Sequence, residues 1–347
     1  MKNFIKSKNF TIAVVGATGA VGAEFIELLD SNGVSADRVR LFASERSAGR
    51  TILVGGNSVV VEALKPGCFS EVGIAFFSAG KGISKSWAAQ AIASGAWVVD
   101  NSSAFRMNVD VPLIIPEVNA NALDACKGPS IVAVPNCSTI VALVAATPLH
   151  RVAKVRRMTV ATYQAASGAG AAAMRELESQ AHAFAEKTPM QTEIFGRQYL
   201  FNCFSHNSAI GPEGYNEEEA KLLHETRKIW SDDTVRITAT CVRVPVLRAH
   251  CESIGLEFET PITEVRAREI LGAASGVELV DDRINNRFPE PLNAAGRDPV
   301  LVGRIRADWS LPPGMGLQMF VAGDQIRIGA ALTGWNIAEL IAARIGE

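Results

Sequence analysis

The sequence predicts an α/β fold in two domains, a parallel sheet covered by helices followed by a second domain of the α+β class. Its 347 residues exceed the size of one ordinary domain. Short strand patterns alternate with helix patterns over residues 1–136, as in a parallel sheet with helices on both faces. After Pro135, long strand patterns follow one another with few helices between them, which indicates a mixed or largely antiparallel sheet.

Composition limits the classes of partner. Apolar residues make up 48% of the chain and charged residues 20%, and the net charge is −2. Without a basic tract, neither nucleic acid nor an anionic membrane surface is an expected partner. No apolar run reaches the ~18 residues of a transmembrane helix. We therefore expect small-molecule substrates and a cytoplasmic location; organellar import stays open, because lysines precede the first apolar run.

The first domain is predicted from short apolar runs, several rich in Val and Ile. These runs predict strands at 11–15, 39–43, 73–78, 96–100 and 130–134. Helical patterns at 21–31 and 85–94 lie between some of them. The alternation is typical of repeated βαβ units, and hence of parallel strands.

The second domain has longer strand patterns. They cover residues 155–165, 235–246, 251–260 and 317–323, with helical patterns at 171–186 and 217–230. The last stretch, 328–345, is apolar at helical spacing and is expected to pack on the first domain. We therefore assign residues 1–136 plus 325–347 to a cofactor-binding domain, and 137–324 to a catalytic and dimerisation domain.

A glycine-rich loop follows the first strand directly. Residues 16–22 read G-A-T-G-A-V-G and open the first helix. Glycines there permit a tight turn and the close approach of a pyrophosphate to the helix N-terminus. The spacing is G-x-x-G-x-x-G rather than G-x-G-x-x-G, and a glycine turn that merely packs is the alternative. The position between strand and helix favours a dinucleotide site in a Rossmann-type domain.

The end of the second strand distinguishes NADP from NAD. An NAD-specific domain usually places an acid there, to bind the ribose 2′-hydroxyl. Here the strand runs into Ser44, Glu45, Arg46 and Ser47. The guanidinium and the two hydroxyls suit a 2′-phosphate, whereas Glu45 can point to solvent. NADP is therefore favoured; a solvated surface arginine is the alternative for Arg46.

One cysteine stands out among six. No C-x-x-C pair occurs, and the spacing matches neither a zinc site nor a disulfide framework, so no metal is expected. Cys137 follows Asn136, a good N-cap, where a strand pattern gives way to an apolar helix. In a first helical turn the macrodipole stabilises a thiolate, and unpaired backbone N–H groups can hold an oxyanion. A buried inert thiol is the usual alternative, but this position favours catalysis.

Six blocks carry a family resemblance. They read G-A-T-G-A-V-G at 16–22, N-S-S-A-F-R at 101–106, P-N-C-S-T at 135–139, Y-Q-A-A-S-G-A-G at 163–170, G-Y-N-E-E-E-A-K at 214–221 and R-V-P-V-L-R-A-H at 243–250. In this combination the chain resembles the aspartate-semialdehyde dehydrogenases over nearly its whole length. The resemblance implies NADPH-dependent reduction of L-aspartyl-4-phosphate to aspartate 4-semialdehyde with release of phosphate. That reaction is the branch step toward lysine, threonine and methionine. A homodimer joined through the second domain is also implied.

The resemblance also implies roles for individual residues. Cys137 would form a thioester, His250 would act as the acid–base partner, and Gln164 would orient the acyl group. The implied substrate contacts are Arg243 for the α-carboxylate, Glu218 for the amine, Arg106 and Lys221 for phosphate, and Asn136. The implied cofactor contacts are Gly16, Thr18, Gly19, Ala20, Val21, Ser44, Arg46, Ser47, Ser78, Ala79, Gly80, Ser167 and Gly168. For Glu218 and Lys221 an ordinary surface i,i+3 ion pair is the alternative.

The chain departs from the family pattern in two segments. Ile328 and Thr333 replace a lysine and an asparagine near the C-terminus, which puts cofactor contacts from those side chains in doubt. Residues 201–207, F-N-C-F-S-H-N, differ from the F-N-x-x-P-Q of many bacterial members and are more similar to a plant or chlamydial branch. We expect His206 in this segment to be structural.

Other functions were weighed against this interpretation. N-acetyl-γ-glutamyl-phosphate reductase shares the architecture, but its cysteine usually lies in a G-C-Y-P-T context. Glyceraldehyde-3-phosphate dehydrogenase would show S-C-T-T-N around its thiol. A catalytically silent NADP-binding homologue would have lost the cysteine or the histidine, and both Cys137 and His250 are present.

Overall fold

The computed structural model describes residues 4–345. Residues 4–136 and 330–345 form one compact unit, and residues 137–329 form a second. The strands are β1 (Thr11–Val15), β2 (Val39–Ala43), β3 (Thr51–Val54), β4 (Asn57–Ala63), β5 (Val72–Phe77), β6 (Trp97–Asp100), β7 (Ile131–Ala133), β8 (Val155–Gln164), β9 (Phe204–Ser205), β10 (Arg236–Arg243), β11 (His250–Phe258), β12 (Val277–Leu279), β13 (Val300–Ala307) and β14 (Gly316–Gly323). The helices are α1 (Phe4–Ser7), α2 (Ala20–Ser31), α3 (Lys81–Ala93), α4 (Pro116–Asn119), α5 (Cys137–Ala153), α6 (Ala171–Glu186), α7 (Glu217–Trp230), α8 (Glu264–Gly272), α9 (Pro291–Ala294) and α10 (Leu332–Arg344).

The first unit contains the predicted parallel sheet. Its strand order is β3-β4-β2-β1-β5-β6-β7, and every neighbouring pair except β3 and β4 is parallel. The five predicted strands correspond to β1, β2, β5, β6 and β7 within a residue or so at each end. The β3–β4 hairpin was not predicted. It turns at Gly55 and Gly56, both with positive φ, and it adds β4 beside β2.

Aromatic and aliphatic side chains fill the space between this sheet and its helices. The rings of Phe25 on α2 and Phe76 on β5 stack at 4.0 Å. Phe42, Phe69 and Phe77 form a buried cluster together with Ala88 of α3. A fully buried Val, Leu, Ile or Phe side chain contributes about 1.5–3 kcal/mol, so these contacts hold the strand ends that carry the nucleotide loop.

The second unit has a mixed sheet, as predicted. Its order is β12-β13-β14-β11-β8-β10-β9, and only the pairs β10–β8 and β12–β13 are parallel. Burial along β8 follows a period of two over its second half, where Thr162 and Gln164 are buried and Tyr163 is exposed. Helix α5 packs on β8, β11 and β14, and α7 packs on β10. Side chains on the buried face of the three central strands therefore meet the start of α5.

Strand register sets two rows of side chains on this buried face. Arg243 of β10 pairs with Gln164 of β8, and the β11–β8 register brings His250 to the same level; we call these three the upper row. The lower row lies two positions away from the upper row on each strand. It consists of Cys241, Thr162 and Glu252. Within residues 4–345 no helix is long and apolar enough to cross a membrane.

Candidate active site

The thiol of Cys137 lies at the start of helix α5. The helix runs for 17 residues, so its N-terminal macrodipole favours a negative charge at this first position. Cys137 is partly exposed, whereas Cys241 and Cys251 are buried. Burial raises the pKa of both of these thiols to about 12, so they remain protonated. Cys137 is therefore much better placed than either to react as a thiolate.

The side chain of Gln164 links the thiol's neighbour to a buried acid. Its Nε2 donates to Oγ of Ser138 at 2.9 Å and to Oε1 of Glu218 at 3.3 Å. An ionised carboxylate can only accept, so the amide nitrogen must face Glu218. The amide orientation is thereby fixed, and its carbonyl oxygen is directed elsewhere.

Helix α7 presents Glu218 and Lys221 together. The helix begins with a capping box in which Asn216 and Glu219 bond reciprocally. Lys221 Nζ lies 2.9 Å from Glu218 Oε2, which is the i,i+3 pair considered as the alternative. The Glu218 side chain, however, is only 6% exposed and also meets Gln164. The pair therefore joins a partly exposed lysine, 28% exposed, to a buried carboxylate that also belongs to a polar network.

Arg243 is held rigidly beside the thiol. Its Nη1 donates to the Ala165 carbonyl at 3.1 Å, and its Nη2 lies 2.7 Å from Nε2 of His206. The guanidinium lies 5.7 Å from the centroid of the Phe195 ring. Burial lowers the pKa of Arg243, and opposing charges, including that of Cys137, partly offset this effect. Arg243 and Cys137 are thus electrostatic neighbours, and an arginine remains charged in a protein.

His250 is fully buried with a defined tautomer. Its Nδ1 accepts a hydrogen bond from the backbone N–H of Ala165 at 3.0 Å. A nitrogen that accepts carries no proton, so the proton of the neutral ring lies on Nε2. Burial, and then the charge of Arg243, lowers the pKa of His250 to about 3. Among residues 4–345, Nε2 has no hydrogen-bond partner, which leaves it as a donor for a ligand.

Gly168 keeps open the space that His250 and Arg243 face. A Cβ at this position would lie 2.8 Å from His250 Nε2 and 3.0 Å from Arg243 Nη1. Gly168 was assigned to the cofactor from the family resemblance, and here it adjoins the N–H donors of His250 and Arg243. The neighbouring Ser167, also assigned to the cofactor, accepts a hydrogen bond from the side chain of Gln325. The Gly168 contact could not be predicted from the sequence, because it depends on strands far apart in the chain.

Two further features of the second unit lie near the thiol. A Cβ at Gly329 would be 2.9 Å from the Cβ of Cys137, so this glycine permits the close approach of the chain to the thiol. Ile328, which replaces the family's lysine, is 1% exposed and belongs to a π-helical turn, Arg327–Ala331. Its side chain is packed as a hydrophobic residue.

The lower row contains a buried acid without a cation. Glu252 is 0% exposed, and neither carboxyl oxygen has a hydrogen-bond partner among residues 4–345. Burial, and then the charge of Glu218, raises the pKa of Glu252 well above its usual value, although the nearby Ser138 hydroxyl opposes the rise. An isolated carboxylate at this depth would be very costly, so the group is protonated in the folded protein.

Glu252→Gln is expected to stabilise the protein increasingly as pH rises. Above about pH 4.3 the unfolded chain loses the Glu252 proton while the folded protein keeps it. The folded state then binds more protons, so the wild-type free energy of unfolding falls with pH, by up to about 1.4 kcal/mol per unit from this one group. The glutamine variant lacks this loss. Thermal unfolding at pH 5.5 and 8.5 should show the gap between variant and wild type widening; Glu269→Gln, on an exposed side chain, should show none. A gap that narrows would contradict a protonated Glu252.

A cavity of about 440 Å³ in the first unit adjoins the glycine loop. Gly16 has φ +97°, and a Cβ there would lie 2.8 Å from the Ser78 backbone. A Cβ at Gly22 would lie 2.2 Å from the Gly16 carbonyl oxygen, so α2 can begin close to the loop only with glycine. A backbone left bare at a helix start suits a pyrophosphate, and a nicotinamide dinucleotide therefore fits this site.

Only some of the predicted cofactor residues line this cavity. Those that do are Gly16, Thr18, Gly19, Ser44, Ser78 and Ala79. Ala20, Val21, Arg46, Ser47 and Gly80 are not among its lining residues. Arg46 and Glu45 are both exposed, and Glu45 also contributes to the lining. Leu64, Ile83 and Trp87 form apolar walls of the cavity, and they could not be predicted because such residues carry no motif.

Arg106 and Asn136 belong to the first unit. Arg106 is 7% exposed, and its Nη2 donates to the Asn101 carbonyl at 3.1 Å. The loop that carries Arg106 is anchored by Asp100, whose carboxylate accepts from Ser102 Oγ at 2.9 Å. Asn136 is 6% exposed and immediately precedes α5. Thr333, the second departure from the family pattern, is fully buried in α10.

The comparisons with known proteins agree on one family. Residues 11–126 match the semialdehyde dehydrogenase NAD-binding domain, and residues 147–328 match the semialdehyde dehydrogenase dimerisation domain. Aspartate-semialdehyde dehydrogenase of Synechocystis is 48% identical over 96% of this chain and 97% of its own length. The enzyme of the same name from Aquifex aeolicus is 45% identical over 96% of this chain and 98% of its own.

Solved structures agree as well. Aspartate semialdehyde dehydrogenase II of Vibrio cholerae, complexed with ASA, matches with a TM-score of 0.93 at 39% identity, over 97% of this chain and 99% of its own. The Candida albicans enzyme with NADP matches with a TM-score of 0.75 at 25% identity, over 96% of this chain and 98% of its own. The chain therefore belongs to the aspartate-semialdehyde dehydrogenase family.

Proposed function

We propose that the protein catalyses the NADPH-dependent reductive dephosphorylation of L-aspartyl-4-phosphate to aspartate 4-semialdehyde, in the biosynthesis of lysine, threonine and methionine. The observation that carries the proposal is the grouping of a helix-start thiol, Cys137, with a buried Arg243 and the donor Nε2 of His250. Such a site can bind a carboxylate, attack an acyl carbon and stabilise the oxyanion that results.

The substrate's charges have counterparts in these side chains. In our proposal Arg243 holds the α-carboxylate and Glu218 the α-amine. Lys221 and Arg106 hold the phosphate, and Asn136 contributes a further polar contact. The burial of Arg243 supports its assignment, because a buried charge is stable only with a partner of opposite sign, which the α-carboxylate would supply.

The chemistry begins with the thiolate of Cys137. Its sulfur attacks the acyl carbon, the bond to the phosphate oxygen breaks, and a thioester forms as phosphate leaves. The glycine loop would hold a nicotinamide dinucleotide, which would supply the hydride for reduction of the thioester. Loss of the sulfur as thiolate then releases the aldehyde. Gln164 orients the acyl group, and the N–H groups of the first turn of α5 stabilise the negative charge on the acyl oxygen.

His250 acts in this scheme as a proton donor. Its Nδ1 is occupied by the Ala165 N–H, so the proton on Nε2 is the one offered to the substrate oxygen. This tautomer favours protonation of the oxyanion, or a hydrogen bond to it, over removal of the thiol proton. We therefore propose that His250 acts as a general acid rather than as a general base.

An assay in the oxidative direction tests the proposed reaction. Phosphate-dependent reduction of NADP should occur with aspartate semialdehyde and be at least ~100-fold slower with N-acetylglutamate semialdehyde. The free amine is charged and can bind Glu218, whereas an acetylated amine carries no charge and adds an acetyl group beside that buried carboxylate. The opposite preference would favour the N-acetyl-γ-glutamyl-phosphate reductase reaction. No turnover of either substrate would favour a catalytically silent homologue.

The preference for NADP is proposed from Ser44, Arg46 and Ser47. Arg46→Ala should raise the KM for NADPH by ~10–150-fold, because a charge-assisted hydrogen bond contributes about 1.5–3 kcal/mol. The KM for NADH should barely change. Arg50→Ala is the control, since Arg50 is a nearby exposed arginine. An equal rise in the KM values for NADPH and NADH would mean that Arg46 does not bind a 2′-phosphate. Glu45, which lines the cavity, would then argue against a preference for NADP.

We also propose that the protein is a homodimer joined through its second domain. Apolar side chains of this unit are strongly exposed in the single chain, with Trp309 98%, Ile284 94% and Leu292 86% exposed. The matching family domain is described as a dimerisation domain. Sedimentation velocity should give about twice the 37.0 kDa chain mass; a monomer at micromolar concentration would contradict the proposal.

A further inference from the structure

His206 lies where strand β9 passes the substrate-facing end of β10. Phe204 pairs with Arg243 across the two strands, and the backbone N–H of His206 donates to the Cys241 carbonyl at 2.8 Å. These bonds place the imidazole beside the guanidinium of Arg243. This contact was not predicted from the sequence, from which we expected only a structural role for His206.

The protons on this pair can be assigned by elimination. Arginine can only donate, so Nε2 of His206 must accept from Arg243 Nη2 across their 2.7 Å contact. A neutral ring then carries its proton on Nδ1, which lies 3.0 Å from Oγ of Ser208 and can donate to it. The backbone N–H of Ser208 is also directed at Nδ1, at 3.2 Å, and this second contact is not a hydrogen bond once Nδ1 carries the proton. Burial, and then the charge of Arg243, lowers the pKa of His206 to about 4, which agrees with a neutral ring.

The chain of hydrogen bonds continues to the helix that carries Glu218. Oγ of Ser208 accepts from the backbone N–H of Glu218 at 3.3 Å. Successive hydrogen bonds therefore connect Arg243 to His206, His206 to Ser208, and Ser208 to the first turn of α7. It joins the two buried, oppositely charged residues that we assign to the carboxylate and the amine of the substrate.

Three of the five N–H groups of Arg243 are directed at partners within the protein. Of its five N–H groups, one is directed at Ala165, one at His206 and one, weakly, at Asn207 Oδ1 at 3.5 Å. One N–H remains on each terminal nitrogen, which is what a bidentate carboxylate needs. His206 thus fixes the rotation of the guanidinium that leaves these two groups available.

We propose that His206 is a positioning residue, which through Arg243 and Ser208 sets the spacing between the carboxylate and amine contacts for an α-amino-acid substrate. The inference rests on the proposed function in its assignment of Arg243 and Glu218. It adds a residue that touches neither the reacting atoms nor the substrate.

Kinetics of three variants test the proposal. His206→Leu removes both hydrogen bonds and should raise the KM for aspartate semialdehyde ~10–150-fold, while kcat and the KM for phosphate change less than about threefold. His206→Gln can accept from Arg243 and donate to Ser208, so its constants should stay within about threefold of wild type. His182→Leu, at an exposed position on α6, should change nothing. The proposal would be overturned if His206→Leu and His206→Gln raised the KM for aspartate semialdehyde equally, or if His206→Leu lowered only kcat.

The tautomer provides a test that needs no substrate. In protein labelled with ¹⁵N-histidine, one ring should show the Nδ1–H form, and its signals should disappear in His206→Gln. A wild-type His206 in the Nε2–H or charged form at neutral pH would overturn the proposal, whatever the enzyme's activity. Failure of aspartate semialdehyde to react, with the expected tautomer present, would count against the proposed function alone.

Discussion

Replacing Cys137 with serine is expected to lower turnover by at least ~10³-fold while leaving NADPH binding unchanged. A serine hydroxyl at the start of α5 keeps the size and the hydrogen-bonding capacity of the side chain. It lacks a thiolate's nucleophilicity, and His250 cannot ionise it as a general base, because Nε2 of His250 carries a proton. Steady-state rates and fluorescence titration with NADPH measure the two quantities separately.

Cys126→Ser is the matched control, since Cys126 is another partly buried thiol but lies outside the second unit. Its activity should remain within twofold of wild type. Turnover of Cys137→Ser within tenfold of wild type would remove Cys137 from the mechanism. The buried Cys241 and Cys251 could not replace it, because burial raises the pKa of each to about 12.

Removing Arg243 or Lys221 should separate the carboxylate site from the phosphate site. Loss of one partner of a buried, charge-assisted pair costs about 2–5 kcal/mol. Arg243→Ala should therefore raise the KM for aspartate semialdehyde strongly and change the KM for phosphate less. Lys221→Ala should raise the KM for phosphate and spare the semialdehyde. Arg106→Lys keeps its charge but loses the planar fork, so an intermediate phosphate defect is expected.

Arg236→Ala is the control on the same strand as Arg243, because the Arg236 side chain is 57% exposed. Both Michaelis constants should be unchanged in this variant. If Arg243→Ala raises the KM for phosphate and Lys221→Ala raises the KM for the semialdehyde, the two sites are exchanged. If neither variant changes either constant, the substrate pocket lies elsewhere.

The sequence predicted the elements whose local pattern and tertiary environment agree. Helix α7 was predicted at its exact bounds, because the capping box at Asn216 and Glu219 marks its start. Strands β1 and β2 were likewise exact, since short Val- and Ile-rich runs bounded by turns are typical of buried parallel strands.

The elements that were missed depend on distant parts of the chain. Strand β13 contains Gly303, which interrupts its apolar pattern; a Cβ there would lie 2.1 Å from the Val280 carbonyl oxygen. Helicity near the C-terminus was predicted to be continuous from 328. Instead a π-helical turn, Arg327–Ala331, precedes α10, and its Gly329 approaches Cys137.

The site could be predicted only where a motif names its residues. Motifs identified Cys137 and His250, and the structure adds their surroundings. His206 and Glu252 were missed because each is an ordinary polar residue in its local sequence. Their significance comes from strand pairing, which brings His206 to Arg243 and buries Glu252 in the lower row.

The central claim, a thioester on Cys137, is tested most directly by omitting phosphate. Aspartate semialdehyde and NADP mixed rapidly with the enzyme should give a burst of one NADPH per active site, because the acyl group then has no phosphate to accept it. Mass spectrometry of the quenched protein should find one aspartyl group, attached to the peptide that contains Cys137. A burst with this modification is the result we predict. Steady NADPH formation without a burst, or an acyl group on any other residue, would contradict the account.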